Sequence, residues 1–265
     1  MMDRFGMKNN LQSLLSRLDI VSDSQIDVQG KKVDIPVKYT DASAFLVFFS
    51  ASASKAQNFL KSKRLLPVKI SPNRCLFGVT FFDYRDCPVG PYHEFTFSIP
   101  VMVDSKFNIP LIPIIFDSLF PNFGHNVILM GADTYVARKH IEQIFPYPLV
   151  DRDTPISLRE DNGILSASIN DDGNNIISVK HKLPKSYKFE NKKYNTYYEK
   201  DDKIYRVRLN TFSYQAKMFN NKDSSVILGD NETSKIFKEL EISPKPILCV
   251  YYKQAIEIAT KGEEI

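Results

Sequence analysis

The segment Gly90–Val101 (GPYHEFTFSIPV) combines a carboxylate with aromatic and hydroxyl side chains in an alternating pattern. Alternate residues of a strand share a face, and the polar face here consists of Tyr92, Glu94, Thr96 and Ser98. The pattern alone favours solvent for this face, because half-buried antiparallel strands usually turn their polar residues to water. The alternative is a ligand cavity. In an apolar cavity the pKa of Glu94 would rise, and its carboxyl group could then transfer a proton.

A second segment, Ile141–Val150 (IEQIFPYPLV), runs from a helical pattern into the proline-rich corner Phe145–Pro148. Together the two segments resemble the acetoacetate decarboxylase family. In that family a Tyr-Pro or Phe-Pro corner is followed by a pair of lysines, and the first lysine forms a Schiff base with the substrate. Here Leu149 and Val150 follow the corner. The resemblance therefore places Leu149 at the position of the nucleophile.

The nature of this residue matters because decarboxylation of a β-keto acid needs an electron sink. An unprotonated lysine supplies one as an imine, and a lowered lysine pKa activates it, as in acetoacetate decarboxylase itself. Leu149 can form no imine, and no lysine occurs between Lys139 and Lys180. Lys69, Lys139 and Lys217 are the candidates elsewhere, although lysines on helices and strands are usually solvated.

The resemblance also implies a fold and a set of pocket residues. The fold would be mainly β (α+β): a cone-like antiparallel β-barrel or meander with a few short helices and an apolar interior. Glu94 would lie near the substrate as a catalytic carboxyl group. The rest of the pocket would include Tyr92, Thr96, Tyr147 and Pro148. Members of the family are commonly oligomeric, so a homo-oligomer is expected.

Two further positions of the family pattern are changed. Its second pocket glutamate would fall near Val79, and its substrate-directed arginine near Phe49 or Ser50. No glutamate occurs between Arg64 and Glu94, and no arginine between Arg17 and Arg64. Loss of several functional positions with the frame retained indicates a changed role.

Three functions stay open on the sequence. In the first, an apolar pocket binds a small keto acid or another carbonyl or lipid-like metabolite, either as a binding protein or as a lysine-independent lyase or isomerase using Glu94. In the second, the protein is an active carboxy-lyase whose lysine comes from elsewhere. In the third, it is a structural oligomer with no ligand. No cofactor is expected in any of them.

Patterns along the chain favour the same fold class. Leu11, Leu14, Leu15 and Leu18 predict an amphipathic N-terminal helix capped near Asn10. A second helix is predicted over 134–145 with Asp133 as its N-cap. The remainder shows short apolar or alternating segments separated by turn signals such as Asp161–Gly163 and Asp171–Gly173. We expect a helix and lead-in over residues 1–30 and a single barrel domain over 31–265.

Composition and motifs exclude several other classes of protein. Nineteen Phe and thirteen Tyr without Trp suit strands packed on aromatic side chains, and the net charge is only +4. The lysine-rich stretch Lys180–Lys203 is read as a solvated loop and strand edge, because its acidic neighbours cancel much of its field; no nucleic-acid partner is expected. No histidine or cysteine spacing suits a metal. No signal peptide or apolar run of membrane-spanning length is found, so a cytoplasmic protein without a membrane partner is expected.

Overall fold

The computed structural model describes residues 3–106, 109–115, 119–219 and 221–265. The helices are α1 (Arg4–Leu15), α2 (Ala53–Phe59), α3 (Ile112–Ile115), α4 (Tyr135–Ile144) and α5 (Lys235–Glu239). The strands of the first half are β1 (Ser24–Val28), β2 (Lys31–Ile35), β3 (Val37–Ser52), β4 (Leu65–Pro67), β5 (Lys69–Ser71), β6 (Arg74–Asp86), β7 (Tyr92–Val103) and β8 (Phe123–Ala132). Those of the second half are β9 (Ile156–Asp161), β10 (Ile164–Asp171), β11 (Asn174–Lys182), β12 (Lys188–Lys200), β13 (Lys203–Met218), β14 (Ser224–Leu228), β15 (Leu248–Ala259) and β16 (Glu263–Glu264).

Seven of these strands close into a barrel. The order β7-β8-β12-β13-β15-β3-β6 returns to β7 through the β6–β7 pairing. This confirms the mainly β, barrel-like class expected from the sequence. One pair departs from the antiparallel expectation, because β8 and β12 run parallel. The chain between them, which includes α4 and β9 to β11, provides the long crossover that a parallel pair requires.

A second sheet of four strands, in the order β14-β11-β10-β9, packs on the outside of the barrel. Phenylalanines on the outer face of the barrel strands, such as Phe45 and Phe81, share one buried cluster with Leu165 and Val179 of this sheet. Strands β3, β6 and β7 are therefore buried on both faces, which explains their nearly continuous apolar sequences. The turns Asp161–Gly163 and Asp171–Gly173 connect β9 to β10 and β10 to β11, as their sequences predict.

One end of the barrel is covered by the β1–β2 hairpin and by α4. Val33 of the hairpin and Ile141 and Ile144 of α4 belong to the same buried cluster as the inward-facing Tyr39 and Tyr84. The division expected at residue 30 falls in the turn of this hairpin, where Gln29 and Gly30 have positive φ. A single domain over 31–265 remains a prediction.

Both predicted N-caps were wrong, that of α1 by several residues and that of α4 by one. The N-cap of helix α1 is Asp3, whose carboxylate accepts a hydrogen bond from the Gly6 N–H (2.8 Å). The helix therefore begins well before Asn10. Helix α4 is capped by Thr134, whose Oγ1 accepts from the Ala137 N–H (3.2 Å). Asp133 instead accepts from the backbone N–H of His93 (2.9 Å) and contacts its ring. Local side-chain preferences do not distinguish such neighbouring acceptors.

The interpretation of the lysine-rich stretch Lys180–Lys203 as a loop and strand edge was also wrong. Most of it is β12, a barrel strand paired along its whole length with β13. Gly124 of β8 lies so close to β12 that an added Cβ would sit 2.4 Å from the Asn195 carbonyl oxygen. This close approach closes the barrel.

Candidate functional site

The interior of the barrel encloses a cavity of about 610 Å³. All seven barrel strands contribute to its wall, which consists mostly of aromatic and aliphatic side chains. Among the described residues the only carboxyl groups in this wall are those of Glu94 on β7 and Glu257 on β15. A cavity of this size and character is typical of a site for a small organic molecule.

The polar face of β7 points into the cavity rather than to solvent. Glu94, Thr96 and Ser98 line it, each less than a tenth exposed. Tyr92 lies just outside the lining set, buried, and its hydroxyl donates to Oε2 of Glu94 (3.4 Å). The choice of solvent from pattern alone was therefore wrong, because both faces of β7 are covered by the closed barrel and the outer sheet.

The proline-rich corner reaches the cavity through Phe145 and Tyr147. The hydroxyls of Tyr147 and Thr196 are hydrogen-bonded (2.5 Å) across to β12. Pro148 is exposed and outside the lining set, but its carbonyl accepts from the Met130 N–H (2.8 Å). Leu149 packs against the cluster that surrounds the cavity without lining it. Glu94, Thr96 and Tyr147 thus come together at the cavity wall, whereas Pro148 and Leu149 do not reach it.

The environment of Glu94 favours its protonated form. Burial and the neighbouring charge of Glu257 raise the pKa of Glu94 to about 8, against a smaller opposite effect of the Tyr92 hydrogen bond. The carboxyl group is 6% exposed. At neutral pH Glu94 can therefore donate a proton or a hydrogen bond to a ligand oxygen.

The second carboxyl group, Glu257, was missed by the sequence analysis. Three hydroxyls surround it: Thr211 Oγ1 (3.2 Å) and Tyr194 (3.3 Å) on Oε2, and Tyr84 (3.5 Å) on Oε1. Burial raises the pKa of Glu257 to about 6, with those three hydrogen bonds acting in the opposite direction. At neutral pH Glu257 is mostly ionised, so the two carboxyl groups form an acid and a base.

A cluster of tyrosines separates the two carboxyl groups from the covered end of the barrel. The ring centroids of Tyr39 and Tyr84 are 4.3 Å apart, and those of Tyr84 and Tyr92 are 5.0 Å apart. Burial, together with the nearby glutamates, raises the pKa of all three phenols well above the ordinary value. They therefore remain protonated, and Tyr39 shares a hydrogen bond with Nε2 of His140 (3.0 Å).

Several cationic side chains of β12 and β13 also line the cavity. Of the three lysines considered from the sequence, Lys217 lines the cavity, Lys139 is ion-paired with Glu142 (2.6 Å) outside it, and Lys69 lies on β5 outside the lining set. Lys192 and Lys193 of β12 line it as well. No lysine in the described part of the chain is among the groups that shift the pKa of Glu94 or Glu257.

Two positions named by the resemblance face away from the cavity. Val79 and Phe49 belong to the outer buried cluster, and Ser50 accepts from the Arg74 guanidinium (2.8 Å). The second carboxyl group of this barrel comes instead from β15, from the opposite end of the chain. A lone glutamate in the apolar run AIEIA was the available signal in the sequence.

Within the described ranges, no group of three potential metal ligands is present. None of the helices in those ranges has the length and apolar character needed to cross a membrane.

The chain has clear structural relatives among known proteins. No protein-family model and no curated protein matches it. An acetoacetate decarboxylase from Legionella pneumophila superposes with a TM-score of 0.62 at 10% identity, over 94% of each chain. Another acetoacetate decarboxylase structure gives 0.61 at 12% identity, over 87% of this chain and 89% of that one.

A third related structure is the enduracididine biosynthesis enzyme MppR complexed with pyruvate. It superposes with a TM-score of 0.54 at 10% identity, over 87% of this chain and 90% of that one. Identities this low show the fold alone. The chain therefore has the acetoacetate decarboxylase fold, as its Gly90–Val101 and Ile141–Val150 segments predicted.

Proposed function

We propose that the protein binds a small keto acid or another carbonyl compound in the barrel cavity and transfers protons on it without forming an imine. The observation that carries the proposal is the pair Glu94 and Glu257, buried in one aromatic cavity and differing in protonation. The MppR structure with pyruvate supports a carbonyl ligand, since it shows that this fold can hold one. A homo-oligomer in the cytoplasm remains part of the proposal.

The chemistry follows from the different protonation of the two groups. Glu94 donates its proton to the ligand carbonyl oxygen while ionised Glu257 removes a proton from the adjacent carbon. The product is the enol, Glu94 is then ionised and Glu257 protonated, and the reverse step returns both protons. Return of the carbon-bound proton to the opposite face or to another carbon would make the protein an isomerase, and carbonyl protonation by Glu94 would equally assist a lysine-independent lyase.

Exchange of ligand hydrogens with solvent deuterium tests the proposal. In D₂O we expect the protein to accelerate loss of the C8 and C10 proton signals of 9-oxodecanoate, followed by ¹H NMR. Glu94→Gln and Glu257→Gln are each expected to slow the exchange about a hundredfold, as is usual for loss of a general acid or base. Glu239→Gln, on the exposed side of α5, is the matched control and should exchange like the parent protein. Exchange at equal rates in all four proteins would contradict the proposal.

A carboxy-lyase with a displaced lysine is the second candidate, because Lys192 and Lys217 line the cavity. An imine with acetoacetate would be trapped by borohydride as a mass increase on the intact protein. We expect no adduct, because Lys217 is exposed and Lys192 is ion-paired with Glu190 (3.9 Å), so neither has the apolar setting that activates a lysine. A stable adduct mapped to Lys192 or Lys217 would favour the carboxy-lyase instead.

A further inference from the structure

The cavity contains a buried polar side chain that the protein itself leaves without a partner. Gln215 on β13 lines the cavity and is 3% exposed. Neither its Oε1 nor its Nε2 has a hydrogen-bond partner. A buried amide without partners costs free energy, so such a group commonly marks the place where a ligand or an ordered water binds.

The position of Gln215 relative to Glu257 follows from strand register. Thr211, the hydrogen-bond partner of Glu257, pairs with Glu257, whereas Gln215 pairs with Tyr252 further along β15. Gln215 lies four residues after Thr211 along the strand, which corresponds to a distance of roughly 13 Å. Lys217 lies two residues beyond, on the same face of β13, and also lines the cavity.

The charged groups along the cavity set the orientation of a bound ligand. The inner part of the cavity carries ionised Glu257, which would repel a ligand carboxylate. Lys192, which pairs with Thr211 in the register, is itself ion-paired with Glu190. The outer part carries the amide of Gln215 and then the ammonium group of Lys217, which would attract one. Between Glu257 and Gln215 in the strand register lie two buried alanines, Ala255 of β15 and Ala42 of β3.

From this arrangement we infer that the ligand is an elongated amphipathic carboxylic acid, with a chain of about ten carbons matched to the strand spacing. Its carboxyl group lies at Gln215 and Lys217, and its chain runs inward toward Glu94 and Glu257. The cavity volume of about 610 Å³ agrees with such a ligand, since cavities of about 300–1,000 Å³ hold molecules of drug size. A four-carbon keto acid would leave most of the space empty. The inference rests on the proposed function and specifies its ligand class.

Calorimetric titration of the protein with decanoate, and with acetate for comparison, tests the inference. Decanoate is expected to bind and acetate is not. Gln215→Leu should weaken decanoate binding about tenfold or more, because a hydrogen bond to a charged group is lost. The same variant without ligand should melt at a higher temperature than the parent protein, because its unpaired amide is gone. If Gln215 only stabilised the fold, Gln215→Leu would lower the melting temperature instead.

Two further variants complete the test. Gln143→Leu, on the exposed face of α4, is the matched control and should leave binding unchanged. Gln215→Glu should weaken decanoate binding more than binding of uncharged 1-decanol. Failure of decanoate to bind, or equal binding by Gln215→Leu and the parent protein, would overturn the inference. If the inference fails but deuterium exchange still depends on Glu94, the proposed function is retained. If decanoate binding depends on Gln215 but no exchange occurs, the inference is retained and the proposed function is wrong.

Discussion

A Glu94→Gln variant is expected to be more stable than the parent protein at alkaline pH, with a difference that grows as the pH rises from about 5 to about 8. The ordinary glutamate pKa is 4.5, and burial and the charge of Glu257 raise that of Glu94 to about 8 in the folded protein. Between these values the unfolded chain has released the proton that the folded protein still holds. The contribution of Glu94 to stability is therefore fully present below pH 4.5 and is lost as the pH rises through 8.

The size of this effect makes it measurable. A shift of this extent corresponds to roughly 4–5 kcal/mol in the free energy of unfolding at pH 8 and above, an upper value because a strained carboxylate can relax toward water. Urea unfolding at intervals from pH 5 to pH 9 should show the parent protein losing stability relative to Glu94→Gln. Glu239→Gln, an exposed substitution, should give a curve parallel to that of the parent. Parallel curves for Glu94→Gln as well would mean that Glu94 is not held protonated in the cavity.

The sequence predicted the barrel more fully than its contents. Alternating and apolar strands, glycine-containing turns and the two segments resembling acetoacetate decarboxylases all point to a β-barrel, and local patterns carry that information. Glu94 could be named because it lies within one of the two specific segments. The direction in which it points could not be obtained from β7 alone, because that depends on which strands cover its two faces.

Glu257 and Gln215 could not be identified from the sequence for a related reason. They lie on β15 and β13, and they meet Glu94 and the lysines only when the barrel closes. Closure depends on the parallel pairing of β8 with β12, two strands separated by more than fifty residues. Strand β12 itself is rich in lysine and reads as a solvated edge, yet its inward residues Tyr194 and Thr196 line the cavity. Long-range pairing of this kind leaves little signal in a local pattern.

Asp41→Asn is expected to lower the free energy of unfolding by roughly 1.5–3 kcal/mol, because it removes the most buried anion of an ionic network that also contains Asp83. Asp41 accepts from Arg85 Nε (2.8 Å) and Gln254 Nε2 (2.8 Å) on Oδ1, and it is ion-paired with Lys8 of α1. Burial opposes ionisation of this side chain, which is 6% exposed, but the hydrogen bonds from Lys8, Gln254 and Arg85 lower its pKa. In the variant Arg85 would keep its ion pair with Asp83 but lose the more buried of its two anionic partners.

Asp104→Asn is the matched control for this substitution. Its carboxylate also pairs with an arginine, Arg64 (2.7 Å), but both side chains are about half exposed (49% and 46%). Exposed ion pairs contribute at most about 1 kcal/mol, so this variant should unfold at nearly the same urea concentration as the parent. Because Lys8 belongs to α1, Asp41→Asn should also increase the rate of amide hydrogen exchange in Arg4–Leu15, whereas Asp104→Asn should not. Equal stabilities of the two variants would show that burial of the Asp41 network adds nothing to the attachment of α1, and the helix would then depend on its other contacts, such as the packing of Leu11 against Phe212 and Ile256.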